Sequence, residues 1–221
     1  MNKDKLAHDR DTLDQQTLNR AYARWAPIYD VVFGGVFDHG RKASIEAAEK
    51  VGGRMLDVGI GTGISLMDFS RRNRIVGVDI SEPMLRRARR RVIDADLDNV
   101  DCLAVMDAER LGFPDNFFDV VVAQYVITAV PNPDATLSEF ARVTRPGGEI
   151  VLVNHIGAER GLRRMFEQGF APIARGLGWR PEFPFARISG WIERTREVDL
   201  IERRPMPPLG HFSLIRMGKR R

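Results

Sequence analysis

The sequence predicts an α/β domain built on a doubly wound, mostly parallel sheet of seven strands, and three observations carry that reading. Apolar runs of strand length, rich in valine and isoleucine, alternate with helical patterns through the middle of the chain, as a parallel sheet covered on both faces requires. The first of these runs opens directly into a glycine-rich stretch, "MLDVGIGTGIS" at residues 55 to 65. Two further strand candidates close the chain, and the short proline-rich link between them suits an antiparallel hairpin better than another crossover helix.

The elements follow in order. "GRMLDVGI" is the first strand, followed by a helix expected from about Gly63 to Arg72; "RIVGVDI" is the second strand and "SEPMLRRARRRVIDAD" its helix. Ser81 stands at the N-cap position of that helix, with Glu82 and Pro83 in its first turn. "VDCLAVMD" is the third strand, and "FDVVVAQYVI" the fourth, leading into the helix "DATLSEFARVTR". "PGG" at Pro146 to Gly148 is expected to end that helix and turn into the fifth strand, "GEIVLVNHI". "EVDLIERR" and "GHFSLIRMGK", joined through "PMPPL", are the closing pair. One domain over residues 1–221 is expected: an N-terminal helical lid (1–40), a core (51–155), an amphipathic insertion (156–195) and closing strands (196–221).

Composition narrows the function classes. The longest nearly apolar stretch, Val120 to Val130, is far shorter than the roughly 20 residues of a membrane-spanning helix. The start is charged throughout and lacks the apolar block of a secretory signal, so a cytoplasmic protein is expected. Cys102 is the sole cysteine, which rules out an internal disulfide and a cysteine metal cluster. The net charge of +4 is unevenly spread: Met1 to Asn154 carries 20 basic and 23 acidic residues, His155 to Arg221 carries 14 and 7. Arginine makes up 29 of the 34 basic residues, a fork suited to phosphate, although coding bias yields the same preference. The basic last third suggests an anionic partner.

A strand, a glycine loop and a helix in succession let a nucleotide-like ligand approach the main chain where free helix-start N–H groups point outward. The dinucleotide fingerprint spaces its glycines G-x-G-x-x-G, whereas Gly59, Gly61 and Gly63 give G-x-G-x-G, a spacing suited to a smaller nucleoside ligand. Asp79 closes the second strand twenty residues after Gly59, where a carboxylate accepts hydrogen bonds from both hydroxyls of a ribose.

"MLDVGIGTG", "GVDIS", "DAERLGFPDNFFDVV" and "RVTRPGGEIVLV", in that order, resemble the class I S-adenosylmethionine-dependent methyltransferases over Val51 to His155. The resemblance implies that the loop Gly59, Gly61, Gly63 lies against the methionine portion of S-adenosylmethionine. Asp79 then holds the ribose, Ile80 and Met84 flank the adenine, and Asp107, Ala108 and Glu109 meet its edge. Asp57 occupies the position that meets the methionine amino group, and Gln124 adds a polar contact to donor or acceptor. S-adenosylhomocysteine is the implied product, and no metal is required.

Methyl transfer from a sulfonium is an in-line displacement, so the protein chiefly aims a lone pair and excludes water. An amine acceptor must first lose a proton, and Tyr125 and His155, at the ends of the fourth and fifth strands, are the candidates near it. For His155 the alternative is a histidine that satisfies local hydrogen bonds, and for Tyr125 a rim aromatic. The N-terminal run "AYARWAPIYDVVFG" resembles the opening segment of small-molecule and lipid methyltransferases. Tyr22 is expected to close over the donor and Tyr29 to reach the reaction centre; Asp30 is a potential partner for a cationic amine, and Trp25 is expected to pack in the core.

After His155 the chain inserts a segment in which Leu162, Met165, Phe166, Gly169, Phe170, Ile173 and Leu177 mark one apolar helical face, with Arg160, Arg163, Arg164 and Arg175 mostly off it. Aromatics and arginines follow, Arg187 among them. Such a segment either enters a membrane interface or roofs the active site. The whole chain resembles the bacterial soluble-type phospholipid N-methyltransferases, which convert phosphatidylethanolamine stepwise toward phosphatidylcholine. That resemblance implies a phospholipid substrate, a peripheral position on the inner face of the cytoplasmic membrane and Arg187 as the grip on the phosphodiester. The basic tail Arg216 to Arg221 would add attraction to an anionic membrane surface. A monomer is expected, and nucleic acid is disfavoured because no recognition module is visible. The rival readings are a C- or O-methyltransferase for a quinone or another small hydrophobic acceptor, and a donor-binding membrane module without catalysis.

Overall fold

The computed structural model describes residues 34–156, 183–207, 210 and 212–221. Its seven strands are β1 Arg54–Val58, β2 Arg74–Asp79, β3 Val100–Val105, β4 Phe118–Gln124, β5 Thr144–His155, β6 Val198–Met206 and β7 Phe212–Lys219. They form one sheet in the order β3-β2-β1-β4-β5-β7-β6. Strands β1 to β5 are parallel, and β7 runs antiparallel between β5 and β6. The doubly wound sheet with a closing hairpin is therefore as expected. The helices described are α1 Gly34–Val51, α2 Glu82–Asp94, α3 Pro133–Val143 and α4 Phe185–Thr195.

Residue alternation along the strands sends side chains to two apolar layers. On one face Met55, Ile75, Val120, Val122, Val151 and Leu214 pack under Ala47 and Ala48 of α1 and Leu85 and Ala88 of α2. On the other Leu56, Val78, Val121, Ile150, Leu152 and Ile215 meet Leu137 and Phe140 of α3 and Ile188 and Trp191 of α4. Both faces are covered, which is why these strands read as continuous apolar runs. Helix α1 continues unbroken across residue 40, where the lid was expected to end, and forms part of the core.

Local chemistry sets the helix ends. Asn132 caps α3 by accepting from the Ala135 N–H at 3.2 Å, with Pro133 and Asp134 in the first turn. Ser81 stands at the N-cap of α2 as expected, but its side chain makes no capping bond; its backbone N–H instead goes to Asp79. The helix expected over 63–72 is a single 3-10 turn, Ser65–Met67. Gly63 enters at a left-handed φ of +75°, the Ser65 hydroxyl is drawn to Asp57, and the Ser70 N–H is taken by the Glu49 carboxylate, so helical pairing has no room to extend. Helix α3 ends at Val143, before "PGG": Thr144 is already extended and its hydroxyl returns to the Phe140 carbonyl at 2.7 Å. "PGG" thus lies within β5.

Arg142 fastens the loop before β4 to α3. Its guanidinium donates to Glu139, Asp115 and the carbonyls of Leu111 and Phe113 at 2.7 to 2.8 Å, and that hydrogen bond holds Glu139 below the usual carboxylate range. Among the described residues no helix is long and apolar enough to cross a membrane.

Core packing, more than surface pairing, is expected to set stability. Phe140→Ala removes a fully buried ring from the α3 layer and should cost about 3–5 kcal/mol in urea denaturation. Arg145→Ala, which breaks the ion pair of a half-exposed arginine with Asp119, should cost no more than about 1 kcal/mol.

Candidate active site

The parallel strands β1, β2, β4 and β5 deliver their last residues to one edge of the sheet. At the end of β1 the chain turns over β2, with the N–H groups of Gly59 and Ile60 both donating to the Val78 carbonyl at 2.8 and 3.2 Å. Gly59, Gly61 and Gly63 all adopt left-handed φ values, +71°, +55° and +75°. The glycines are needed for different reasons. A Cβ at Gly59 would run into Val126, and one at Gly63 would lie 2.9 Å from Ala88 Cβ, so these two allow β4 and α2 to close on the loop. At Gly61 a Cβ would meet nothing within 4 Å, so there the main chain faces open space.

Asp79 fixes this loop. Its Oδ2 accepts from the Gly61 N–H and its Oδ1 from the Ser81 N–H, both at 2.8 Å, joining the glycine loop to the start of α2. Burial pushes its carboxyl up, against the pull of the N–H groups of Ser81, Gly61 and Ile80. Asp57, fully buried, accepts from the Ser65 hydroxyl at 2.7 Å. Burial pushes it up to about 7; the Ser65 bond acts the other way, and the neighbouring Asp79 charge adds to the rise.

Beside Asp79, Ile80 is 42% exposed and Met84 is buried. The Met106 N–H donates to the Asp79 carbonyl at 3.1 Å, which brings the turn Asp107–Ala108–Glu109 to the same edge. That turn is closed by the Glu109 N–H on Asp107 Oδ1 at 2.9 Å and by the Asn132 N–H on Glu109 Oε1 at 2.6 Å. A carboxylate, an open main-chain loop and a half-exposed apolar side chain therefore stand together, and they suit a nucleoside with a charged tail.

On the β4 and β5 side, Gln124 donates to the buried Ser44 hydroxyl at 2.9 Å, tying β4 to α1. Tyr125 has a left-handed φ of +63°, and its hydroxyl donates to the Phe37 carbonyl at 3.0 Å. Its ring packs on Phe37 at 4.4 Å and Phe212 at 5.5 Å, while His155 stands edge-on to Phe212 at 6.0 Å. Tyr125 and His155 are thus brought to one aromatic cluster. Arg187 lies on the opposite face of the sheet, on α4: its Nε meets Asp134 at 3.3 Å and its guanidinium lies 5.8 Å from the Phe183 ring. Arg194 shares Asp134 at 2.7 Å, beside a cavity of about 390 Å³ that Trp191 and Ser138 help to line. In the tail Arg216 pairs with Glu149 and Glu202, and Arg220 with Asp199; the register sets Glu202 directly opposite Arg216 and brings Glu149 and Asp199 alongside.

Tyr22, Tyr29, Trp25, Asp30 and the amphipathic face from Leu162 to Leu177 lie outside the described residues. Sequence reasoning missed Ser65, which it placed in a helix, although a hydroxyl two residues past the last glycine is positioned to turn back on Asp57. It also missed Phe37 and Phe212, whose roles depend on α1 and β7 meeting at β4 and carry no local signal.

A methyltransferase domain model matches residues 56–152. The phosphatidylethanolamine N-methyltransferase of Cereibacter sphaeroides is 39% identical over 208 residues, covering 94% of this chain and all of that protein. The aklanonic acid methyltransferase DauC of Streptomyces sp. strain C5 is 27% identical, over 86% of this chain and 90% of its own length. Among solved structures, the cyclase SpnF superposes with a TM-score of 0.74 at 19% identity, over 93% of this chain and 96% of that one, a likeness of fold alone. With a relative matched along its full length, a methyltransferase domain model over the core and the seven-stranded fold, the chain belongs to the class I S-adenosylmethionine-dependent methyltransferases, among which it resembles the phosphatidylethanolamine N-methyltransferases.

Proposed function

We propose that this methyltransferase N-methylates phosphatidylethanolamine, and its mono- and dimethyl forms, toward phosphatidylcholine at the inner face of the cytoplasmic membrane. The observation that carries the reading is the 39% identity to a phosphatidylethanolamine N-methyltransferase along that relative's whole length. The donor, when bound, supplies a methyl group activated on a sulfonium. The open main chain at Gly61 would receive its methionine portion, Asp79 its ribose hydroxyls, and Ile80 with Met84 and the Asp107–Glu109 turn its adenine. Asp57, in its ionised form, would hold the donor's ammonium group.

The acceptor nitrogen must shed a proton before its lone pair can take the methyl. Tyr125, whose hydroxyl donates to the Phe37 carbonyl, and His155, on the same aromatic cluster, are the candidates for handling that proton. Arg187 is half-exposed and shares Asp134 with Arg194, so it could turn to a phosphodiester while Asp134 keeps one arginine.

The decisive assay offers the protein labelled donor and vesicles containing phosphatidylethanolamine, with lipids resolved by thin-layer chromatography. Label in mono-, di- and trimethylated phospholipid is expected. Label only in an added quinone or other hydrophobic small molecule would overturn the reading in favour of a C- or O-methyltransferase.

Donor binding gives two further tests. Asp79→Ala should weaken donor affinity at least about tenfold in calorimetry, the scale of losing charge-assisted hydrogen bonds to two hydroxyls. Asp57 predicts a pH dependence. Its pKa of about 7 lies above the ordinary 3.8, so the stability that its neutral form contributes to the donor-free protein is full below pH 4 and lost as pH rises through 7. A cationic ammonium prefers the ionised form, so donor affinity should rise with pH up to about 7, by about tenfold per unit at the steepest, and then level off. Asp57→Asn should flatten both profiles.

A further inference from the structure

We propose that Arg91 is a positioning residue for the donor: from the last turn of α2 it holds the glycine loop at Thr62, and so sets the affinity for S-adenosylmethionine without taking part in the transfer. The inference rests on the glycine loop being the donor's seat and not on the identity of the acceptor. The run "RRARRR" spans Arg86 to Arg91 on α2, and Arg86, Arg87, Arg89 and Arg90 are exposed, as a solvated helix face requires. Arg91 departs from them. It is half-buried and lies three residues beyond Ala88, on the face that α2 turns to the loop.

Its Nη1 donates to the Thr62 carbonyl at 2.7 Å and lies 3.3 Å from Thr62 Oγ1. One turn earlier, Ala88 is the residue that a Cβ at Gly63 would strike. Helix and loop therefore touch at two successive turns, once by close packing and once by a charge-assisted hydrogen bond.

The place of that bond in the loop gives it its effect. The Gly61 N–H is taken by Asp79, and the Gly63 N–H by the Ile60 carbonyl at 2.9 Å. The Thr62 carbonyl belongs to the same peptide as the Gly63 N–H, so Arg91 and Ile60 hold that peptide from opposite sides, between two residues of left-handed φ. Glycine loses more freedom on ordering than any other residue, and a loop ordered beforehand binds a ligand more tightly than one the ligand must order. Arg91 also joins the two walls of the donor site. Helix α2 carries Met84, on the adenine side, and its start is tied to Asp79 through Ser81; with Arg91 gripping Thr62, the adenine side and the methionine side form one body.

The test titrates the full chain with S-adenosylmethionine and with S-adenosylhomocysteine in a calorimeter. Wild type is compared with Arg91→Met, which keeps the apolar stem, Arg91→Lys, which keeps a charged donor, and Arg90→Ala on the exposed face of the same helix. Arg91→Met should weaken both ligands at least about tenfold, Arg91→Lys less than about threefold, and Arg90→Ala not at all. On phosphatidylethanolamine vesicles, Arg91→Met should raise the donor KM by the same factor and leave kcat at saturating donor within about twofold, a split that a merely structural role would not give. Unchanged donor affinity in Arg91→Met, an equal loss in Arg90→Ala, no recovery by lysine, a fall in kcat at unchanged KM, or failure of Arg91→Met to fold would each overturn the role of Arg91. Unchanged donor affinity in Asp79→Ala would overturn the donor-site reading with it. The calorimetry needs no acceptor, so a wild type inactive on the lipid would overturn the N-methyltransferase reading alone.

Discussion

The geometry of the site depends on the Asp79 carboxylate. A left-handed glycine loop has no regular pairing of its own, and three such residues in five positions would otherwise sample many conformations. Asp79 removes that freedom by accepting from Gly61 on one oxygen and from Ser81 on the other. The same bonds leave Ser81 without a side-chain cap and still start α2 at a fixed place, where Gly63 lets the helix approach through Ala88. Oxygens that already accept from the main chain keep further lone pairs, so the carboxylate that shapes the loop remains able to receive hydroxyl groups.

The far half of the sheet holds the rest in place by other means. Strand β7 slots antiparallel between β5 and β6, and the resulting register puts Arg216 against Glu149 and Glu202. These pairs are largely shielded from water, with Arg216 and Glu149 side chains 17% and 14% exposed, so they define register more than they add net stability. Register matters here because one residue of slip would carry Phe212 away from Tyr125 and His155.

The strands, their order along the chain and the meeting of the glycine loop with the strand-end acid Asp79 were legible because they obey short-range rules. Valine-rich runs mark covered parallel strands, alternating glycines mark a main chain that must be approached, and a strand-end acid twenty residues on marks its partner. What was not legible arises from contacts between distant segments. The helix expected over residues 63–72 is cut to one turn where Ser65 turns back to Asp57 and Ser70 to Glu49, and the second of these partners, 21 residues upstream on another helix, leaves no local signal. Arg187 stands out among aromatics in the sequence, yet its nearest carboxylate, Asp134, is 53 residues away on another helix. The partners of Arg216 and Arg220 were not legible for the same reason, since these arginines meet carboxylates only once β7 is paired.

The β4–β5 side of the sheet departs from good folding practice twice, on neighbouring strands but opposite faces. Tyr125 is a bulky residue in the left-handed region, a conformation that costs about 1–3 kcal/mol and persists only where its surroundings overdetermine it. Here the surroundings do so: its N–H goes to the Val153 carbonyl at 2.7 Å, its hydroxyl to the Phe37 carbonyl, and its ring is flanked by Phe37 and Phe212. The strained turn is also what swings Val126 over Gly59, so the exit of β4 and the loop after β1 interlock. One strand over, Asn154 is buried with nothing to bond. At the ends of β1 and β2, by contrast, Asp57 and Asp79 are both hydrogen-bonded within the protein. The fold thus completes its side-chain bonding at the ends of β1 and β2, where two buried carboxylates fix the shape of the glycine loop, and leaves it incomplete in the layer under α3 and α4.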